Sequence, residues 1–137
     1  MDAKNIVLGG TGGGILLFVL LFGLNSLIGM VVPYDISAFG GMRAMDDPVM
    51  LLFFLYPFVV SFAAAVVFDT VRNALQGTTV TKGLLFGGLL LVIMTVPSLF
   101  VMITTMDWPL VFYAASIVQE GIGYPVMGVL FAFLWKL

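Results

Sequence analysis

The hydrophobic and polar positions of this chain fall into long blocks rather than short alternations. Four largely apolar stretches lie at about 6–32, 48–75, 82–105 and 109–135, and polar residues are concentrated between them. A helix of about 20 apolar residues crosses the hydrocarbon core of a bilayer. The pattern therefore predicts an all-α integral membrane protein with four transmembrane helices in a bundle.

The connections between the apolar stretches carry residues that begin helices. Asp47-Pro48 is a typical helix start, because aspartate caps free amides and proline at the first position loses no hydrogen bond. Asp107 offers a similar cap before the fourth stretch. The outer loop 33–47 is the longest connection, and the later helices are joined by tight turns. We therefore expect antiparallel neighbours in a single transmembrane domain, 1–137.

Prolines and glycines inside the apolar stretches predict how the helices bend and approach one another. A proline within a helix removes a backbone hydrogen bond and kinks the helix, and such prolines occur at Pro57, Pro97 and Pro125. Two glycines four positions apart let helices pack closely, and such pairs occur at Gly9/Gly13 and Gly83/Gly87. Because so short a chain encloses only a small pore, these glycine faces are candidate contacts in a homo-oligomer.

The composition agrees with lipid as the main solvent and removes several chemistries. The chain is 62% hydrophobic and 9% charged, whereas soluble domains carry about 25% charged residues. It contains no cysteine and no histidine, which excludes disulfides, thiolate metal sites and histidine-based catalysis. The five Lys and Arg residues form no basic run for nucleic acid. We therefore expect no cofactor, no metal and no nucleic-acid partner.

The basic residues are divided unequally between the two sides that four crossings would create. The side of the two termini carries Lys4, Arg72, Lys82 and Lys136. The other side carries one basic residue among four acids, namely Arg43, Asp35, Asp46, Asp47 and Asp107. Because cytoplasmic connections are enriched in Lys and Arg, we predict a multi-pass membrane protein with both termini cytoplasmic. Trp108 and Trp135 bracket the fourth stretch, as residues at the two interfaces would.

The most informative residue is Glu120, the only glutamate in the chain. At the rise of an α-helix it lies about 18 Å from Trp108 and about 22 Å from Trp135, close to the bilayer midplane. A carboxyl at that depth must face protein or water, because contact with lipid costs several kcal/mol. Ser116 and Tyr124 lie four positions to either side of Glu120 and share its helix face.

Uncharged polar residues of the other stretches fall in the outer half of the predicted membrane. We therefore expect a polar pocket that is open toward the outer face and floored near the glutamate. The candidate ligand or proton site consists of Glu120, Gln119, Ser116, Tyr124, Asn25, Ser61 and Thr95. Asp69 and Arg72, three positions apart on one helix, are expected to form an interfacial ion pair. No residue is nominated as catalytic.

Two functions remain open from the sequence. In the first, the chain is a structural or accessory subunit of a larger membrane complex, and Glu120 is a hydrogen-bonding group between helices. In the alternative, the chain is a small proton-coupled transporter, channel or ligand-binding membrane protein. Burial disfavours a charged carboxyl, so Glu120 could then exchange a proton or bind a ligand. An enzyme is disfavoured, because the stretches contain no paired carboxylates.

Overall fold

The computed structural model describes residues 2–136, which form helices and no strand. The α-helices are α1 (Ala3–Val31), α2 (Tyr56–Val71), α3 (Thr79–Leu90), α4 (Val96–Thr105) and α5 (Leu110–Leu134). Short 3₁₀-helices lie at Ile36–Ala38 and Pro48–Leu55, and a π-helical turn at Leu91–Thr95 joins α3 to α4.

Four helical segments are long and apolar enough to cross a membrane. They are Ala3–Val31, Pro48–Val71, Thr79–Thr105 and Leu110–Leu134. The prediction of an all-helical chain with four membrane-length helices is therefore confirmed. The second segment ends at Val71, earlier than the expected 75, and the connection to α3 contains Gly77, whose φ of 102° lies in the left-handed region.

Side chains in the connections satisfy the free amides at several helix starts. The Asp47 carboxylate accepts a hydrogen bond from the Val49 amide at 2.8 Å. Thr78 Oγ1 accepts one from the Thr81 amide at 3.2 Å, at the beginning of α3. These are the capping roles expected of aspartate and threonine before a helix.

The helix type changes just before two of the prolines. Pro48–Leu55 is a 3₁₀-helix that becomes α-helical at Tyr56, next to Pro57. The π-helical turn Leu91–Thr95 ends two residues before Pro97. Because proline has no amide hydrogen, the regular bonding pattern is interrupted at these points. In contrast, α5 continues through Pro125 without a change of type.

Glycines bring α3 into direct backbone contact with α5. A Cβ atom added at Gly83 would lie 2.4 Å from the Val129 Cα atom, and one added at Gly87 would lie 2.4 Å from the Pro125 Cα atom. Only a residue without a side chain permits so close an approach. The Gly83/Gly87 pair therefore serves packing within the chain.

Glycines on α1 make room for large side chains of α2 and α5. A Cβ atom at Gly10 would lie 2.3 Å from the Phe62 ring, and one at Gly14 would lie 2.4 Å from the Phe58 ring. Gly9 faces Trp135, which follows α5, whereas the nearest neighbour of Gly13 is Ser61 of α2, followed by Phe131 of α5. The Gly9/Gly13 pair therefore packs against other helices of the same chain.

Trp135, just after the end of α5, points inward toward the other helices. Trp135 is only 9% exposed, and its rings pack against Phe68 and Phe131 in the core. Its indole nitrogen donates to the Asp69 carboxylate at 2.6 Å. A polar partner on α2 therefore holds this side chain inward, which the sequence spacing alone could not show.

No side chain caps the start of α5, so the expected cap by Asp107 is not seen, and the connection before α5 is instead held by Tyr113. Tyr113 is buried, and its hydroxyl donates to the Met106 carbonyl oxygen at 2.8 Å. The same hydroxyl accepts a hydrogen bond from the Trp108 amide at 3.3 Å. Tyr113, in the first turn of α5, thus stabilises the connection between α4 and α5 through its hydroxyl.

Substitution of Tyr113 by phenylalanine is expected to lower the free energy of unfolding by about 1 kcal/mol, because two hydrogen bonds to the turn are lost while the ring remains. Unfolding by SDS titration, followed by circular dichroism, measures this change. Thr105→Ala is the control, since its hydroxyl bonds only to Val101 of its own helix. A Tyr113→Phe protein as stable as the control protein would show that the turn does not depend on the hydroxyl.

Candidate functional site

A partly open cavity of about 330 Å³ lies among α1, the beginning of the second segment, α4 and α5. Its polar lining residues are Asn25, Tyr34, Tyr56, Ser98, Ser116, Gln119 and Glu120. Its apolar lining residues are Leu21, Phe22, Ile36, Phe53, Pro57, Met102, Phe112 and Ala115. The cavity therefore extends from the middle of the helices to the connection that precedes Pro48. We call it the Glu120 cavity.

Glu120 is held at the inner part of the cavity by the third helical segment. Thr95, which is 5% exposed, donates its hydroxyl hydrogen to Glu120 Oε2 at 2.5 Å. Thr95 belongs to the π-helical turn Leu91–Thr95. Thr95 thus orients one oxygen of the Glu120 carboxylate, and Glu120 itself lines the cavity.

Two tyrosines lie beside the carboxyl. The hydroxyl oxygens of Tyr56 and Tyr124 are 3.4 Å apart, so α2 and α5 are joined by a hydrogen bond next to the cavity. Tyr124 is 1% exposed, whereas Tyr56 is 40% exposed and lines the cavity. A phenol is therefore available on the same side of the cavity as the Glu120 carboxyl.

A second polar group joins the outer connection to two helices. The Asn25 side-chain oxygen accepts hydrogen bonds from the Tyr34 hydroxyl at 2.5 Å and from Gln119 Nε2 at 3.2 Å. Partial burial raises the pKa of Tyr34 above its ordinary value, so its hydroxyl remains a donor at neutral pH. Residues of α1, the connection and α5 are thereby fixed together where they line the cavity.

The electrostatic character of the Glu120 cavity is one-sided. Within the lining described above there is one carboxyl and no lysine or arginine. Much of the remaining wall is aromatic, with the rings of Phe22, Phe53 and Phe112 alongside the two lining tyrosines. Aromatic faces attract cations, and a carboxylate in apolar surroundings favours a positively charged partner. The cavity can therefore accept an apolar molecule that carries a cationic or hydrogen-donating group.

The structure brings together most of the residues nominated from the sequence. Asn25, Ser116, Gln119 and Glu120 line the cavity, Thr95 bonds to the carboxyl, and Tyr124 bonds to a lining tyrosine. The Ser116 hydroxyl itself donates to the Phe112 carbonyl of its own helix at 3.0 Å.

Ser61 does not belong to this cavity. It is fully buried, and its hydroxyl donates to the Gly9 carbonyl of α1 at 3.2 Å. Its depth along the helix is similar to that of the cavity residues, but its side chain points to α1. Ser61 therefore contributes to helix packing rather than to the candidate site.

Several cavity residues were not nominated from the sequence, among them two tyrosines and two residues of α4. Tyr34 lies in the connection and Tyr56 precedes Pro57, while Ser98 and Met102 lie on α4. A tyrosine beside an intramembrane proline was a usable signal for Tyr56. The sequence contained no such signal for Ser98 and Met102, because the side toward which they point depends on the direction of α4.

Asp69 and Arg72 form an ion pair at the other end of the helices, with Arg72 Nε 3.5 Å from the carboxylate. The Asp69 side chain is only 5% exposed. It also accepts hydrogen bonds from the Trp135 indole at 2.6 Å and from the Asp2 amide at 3.1 Å. This carboxylate thus joins α2 to α5 and to the residue that precedes α1.

No family model matches the chain, and no curated protein or solved structure matches it.

Proposed function

We propose that this chain is a small multi-pass membrane protein that binds an organic cation with an apolar body in the Glu120 cavity. The observation that carries the proposal is a partly open cavity of about 330 Å³ whose described lining contains one carboxyl and no basic side chain. Binding sites of this kind are mostly apolar and contain a few oriented polar groups.

The physical basis of the proposal is the charge of the carboxyl. A carboxylate at mid-membrane depth is costly unless a proton or a cation compensates its charge. A proton and an organic cation would therefore compete for Glu120. Such competition is the exchange on which a small proton-coupled transporter depends, and it is the reason we favour transport as the use of the binding site.

The proposal includes an antiparallel four-helix bundle that is kinked at Pro57, Pro97 and Pro125. Opposite directions of α1 and α2 are supported by the neighbours of Gly10 and Gly14, since the later glycine faces the earlier phenylalanine of the Phe58/Phe62 pair. The excess of Lys and Arg beside the termini supports a cytoplasmic location for both termini.

Substitution of Glu120 by glutamine is expected to weaken binding of benzyltrimethylammonium by at least about tenfold, because loss of one desolvated charge pair costs more than about 1.4 kcal/mol. The purified protein in lipid nanodiscs is titrated with the cation, and intrinsic tryptophan fluorescence is recorded. Neopentylbenzene, which has the same shape without the charge, is the matched ligand and should bind both proteins equally.

Asp107→Asn is the control variant, since it removes the same charge from an exposed residue outside the cavity. Its affinity for the cation should equal that of the unmodified chain. Equal affinities of the Glu120→Gln and Asp107→Asn proteins would contradict the proposal.

A second proposal is a structural or accessory subunit of a larger membrane complex. It is favoured by α4, which contributes no buried residue to the described structure and exposes Phe100 and Ile103. Extraction of the tagged chain in a mild detergent or polymer should then yield a stoichiometric membrane partner. If the extracted chain has the same size as in the native membrane extract and contains no other protein, this second role is rejected.

A further inference from the structure

A second cavity, of about 200 Å³, lies at the end of the helices opposite the outer connection. It is lined by Phe68, Arg72, Asn73, Gly77, Thr79, Lys82, Ala132, Trp135 and Lys136. Three of these residues are basic, and they come from the end of α2, the first turn of α3 and the residues after α5. We call this cavity the basic pocket.

The charges of the basic pocket are not balanced by its lining. Arg72, Lys82 and Lys136 line it, and no acidic residue does so among residues 2–136. The adjacent carboxylate, Asp69, is 5% exposed, accepts hydrogen bonds from Trp135 and the Asp2 amide, and pairs with Arg72 at 3.5 Å. Lys82 and Lys136 therefore keep an uncompensated charge among the lining residues. Like charges that share a concave surface repel one another, so the pocket favours an anion.

Two further observations point in the same direction. The Arg72 Nε atom is buried and makes no hydrogen bond within the described part of the chain; its ion-pair partner, Asp69, lies 3.5 Å away. Thr79, the first residue of the 12-residue helix α3, also lines the pocket. The amino-terminal end of a helix adds partial positive charge to that of the side chains.

We infer that the basic pocket binds the phosphate group of an anionic lipid. It lies at the ends of three membrane-length segments, which is the level of the lipid headgroups. Basic pockets between transmembrane helices suit phosphate-containing headgroups, because arginine and lysine bind phosphate oxygens through charge-assisted hydrogen bonds. This inference is independent of the Glu120 cavity.

The test uses Trp135 as a local reporter, since it lines the pocket. A Trp108→Phe chain retains Trp135 as its only tryptophan. The protein is reconstituted into phosphatidylcholine vesicles that contain brominated phosphatidylglycerol or brominated phosphatidylcholine, and quenching of fluorescence is compared. Phosphatidylglycerol is expected to bind at least about fivefold more strongly, which corresponds to about 1 kcal/mol, the contribution of one basic residue near the surface.

The variant Lys82→Gln/Lys136→Gln should lose this preference, because two of the three pocket charges are removed. The double variant Lys4→Gln/Arg43→Gln is the matched control, as it removes the same charge outside the pocket and should keep the preference. Inorganic phosphate is also added, at constant ionic strength, to the protein in pure phosphatidylcholine vesicles. This measurement distinguishes binding of free phosphate from binding of a lipid phosphate group.

A change in Trp135 fluorescence with phosphate, absent from the Lys82→Gln/Lys136→Gln protein, would identify free phosphate as a ligand of the same pocket. Two outcomes would overturn the inference. One is equal quenching by the two lipids together with no effect of phosphate. The other is a lipid preference that the two lysine substitutions leave unchanged.

Discussion

Replacing Gly87 with alanine is expected to lower the free energy of unfolding by about 2–3 kcal/mol, one of the two largest effects that we predict. The new Cβ atom would lie 2.4 Å from the Pro125 Cα atom and 2.6 Å from the Pro125 nitrogen. Both are backbone atoms, which cannot rotate away as a side chain can. Relief of the clash would require α3 and α5 to move apart along their shared face.

Gly88 provides a matched control on the same helix. A Cβ atom at this position has no neighbour within 4 Å, so Gly88→Ala should leave stability unchanged or raise it by about 0.5–1 kcal/mol. Both variants are unfolded by SDS titration in the same detergent. Equal stability of the two variants would show that α3 does not approach α5 through Gly87.

The second large effect is expected for Asp69→Ala, which should lower the free energy of unfolding by about 2–4 kcal/mol. The carboxylate is the acceptor for the Trp135 indole and the Asp2 amide, and it is the ion-pair partner of Arg72. Its removal leaves two donors and a guanidinium group without their partner. The end of α5 should loosen first, and the fluorescence spectrum of Trp135 should shift toward that of a solvated indole.

Thr70→Ala is the control for Asp69→Ala at the adjacent position. The Thr70 hydroxyl is exposed and bonds only to the Val66 carbonyl of its own helix at 3.0 Å, so this change should cost less than about 0.5 kcal/mol. The same SDS titration is applied to both variants. An Asp69→Ala protein as stable as Thr70→Ala would indicate that the carboxylate does not join these helices.

The helices themselves were predictable because the length of an apolar run and the residues at its ends carry the signal. Asp47 and Thr78 cap helices as their types suggest. Glu120 could also be nominated, since a single carboxyl deep in an apolar stretch has few favourable environments. In each of these cases the deciding information lies within one short segment of sequence.

The facing of side chains was less predictable, because lipid and protein interior are both apolar. A helix in water shows its buried face by an apolar stripe, but a helix in lipid has no such contrast. Ser61 and Glu120 lie at comparable predicted depths, yet one packs against α1 and the other lines the cavity. Trp135 likewise points inward because of its partner Asp69 on another helix.

The π-helical turn at Leu91–Thr95 has a geometric consequence for α4. A π turn contains one more residue than an α-helical turn, and each residue of an α-helix adds about 100° of rotation. The additional residue therefore rotates every side chain of α4 by about 100° about the helix axis, relative to an uninterrupted helix. This rotation is consistent with the position of Ser98 and Met102 on the cavity wall. Shortening the turn by one residue would therefore direct a different set of side chains toward Glu120.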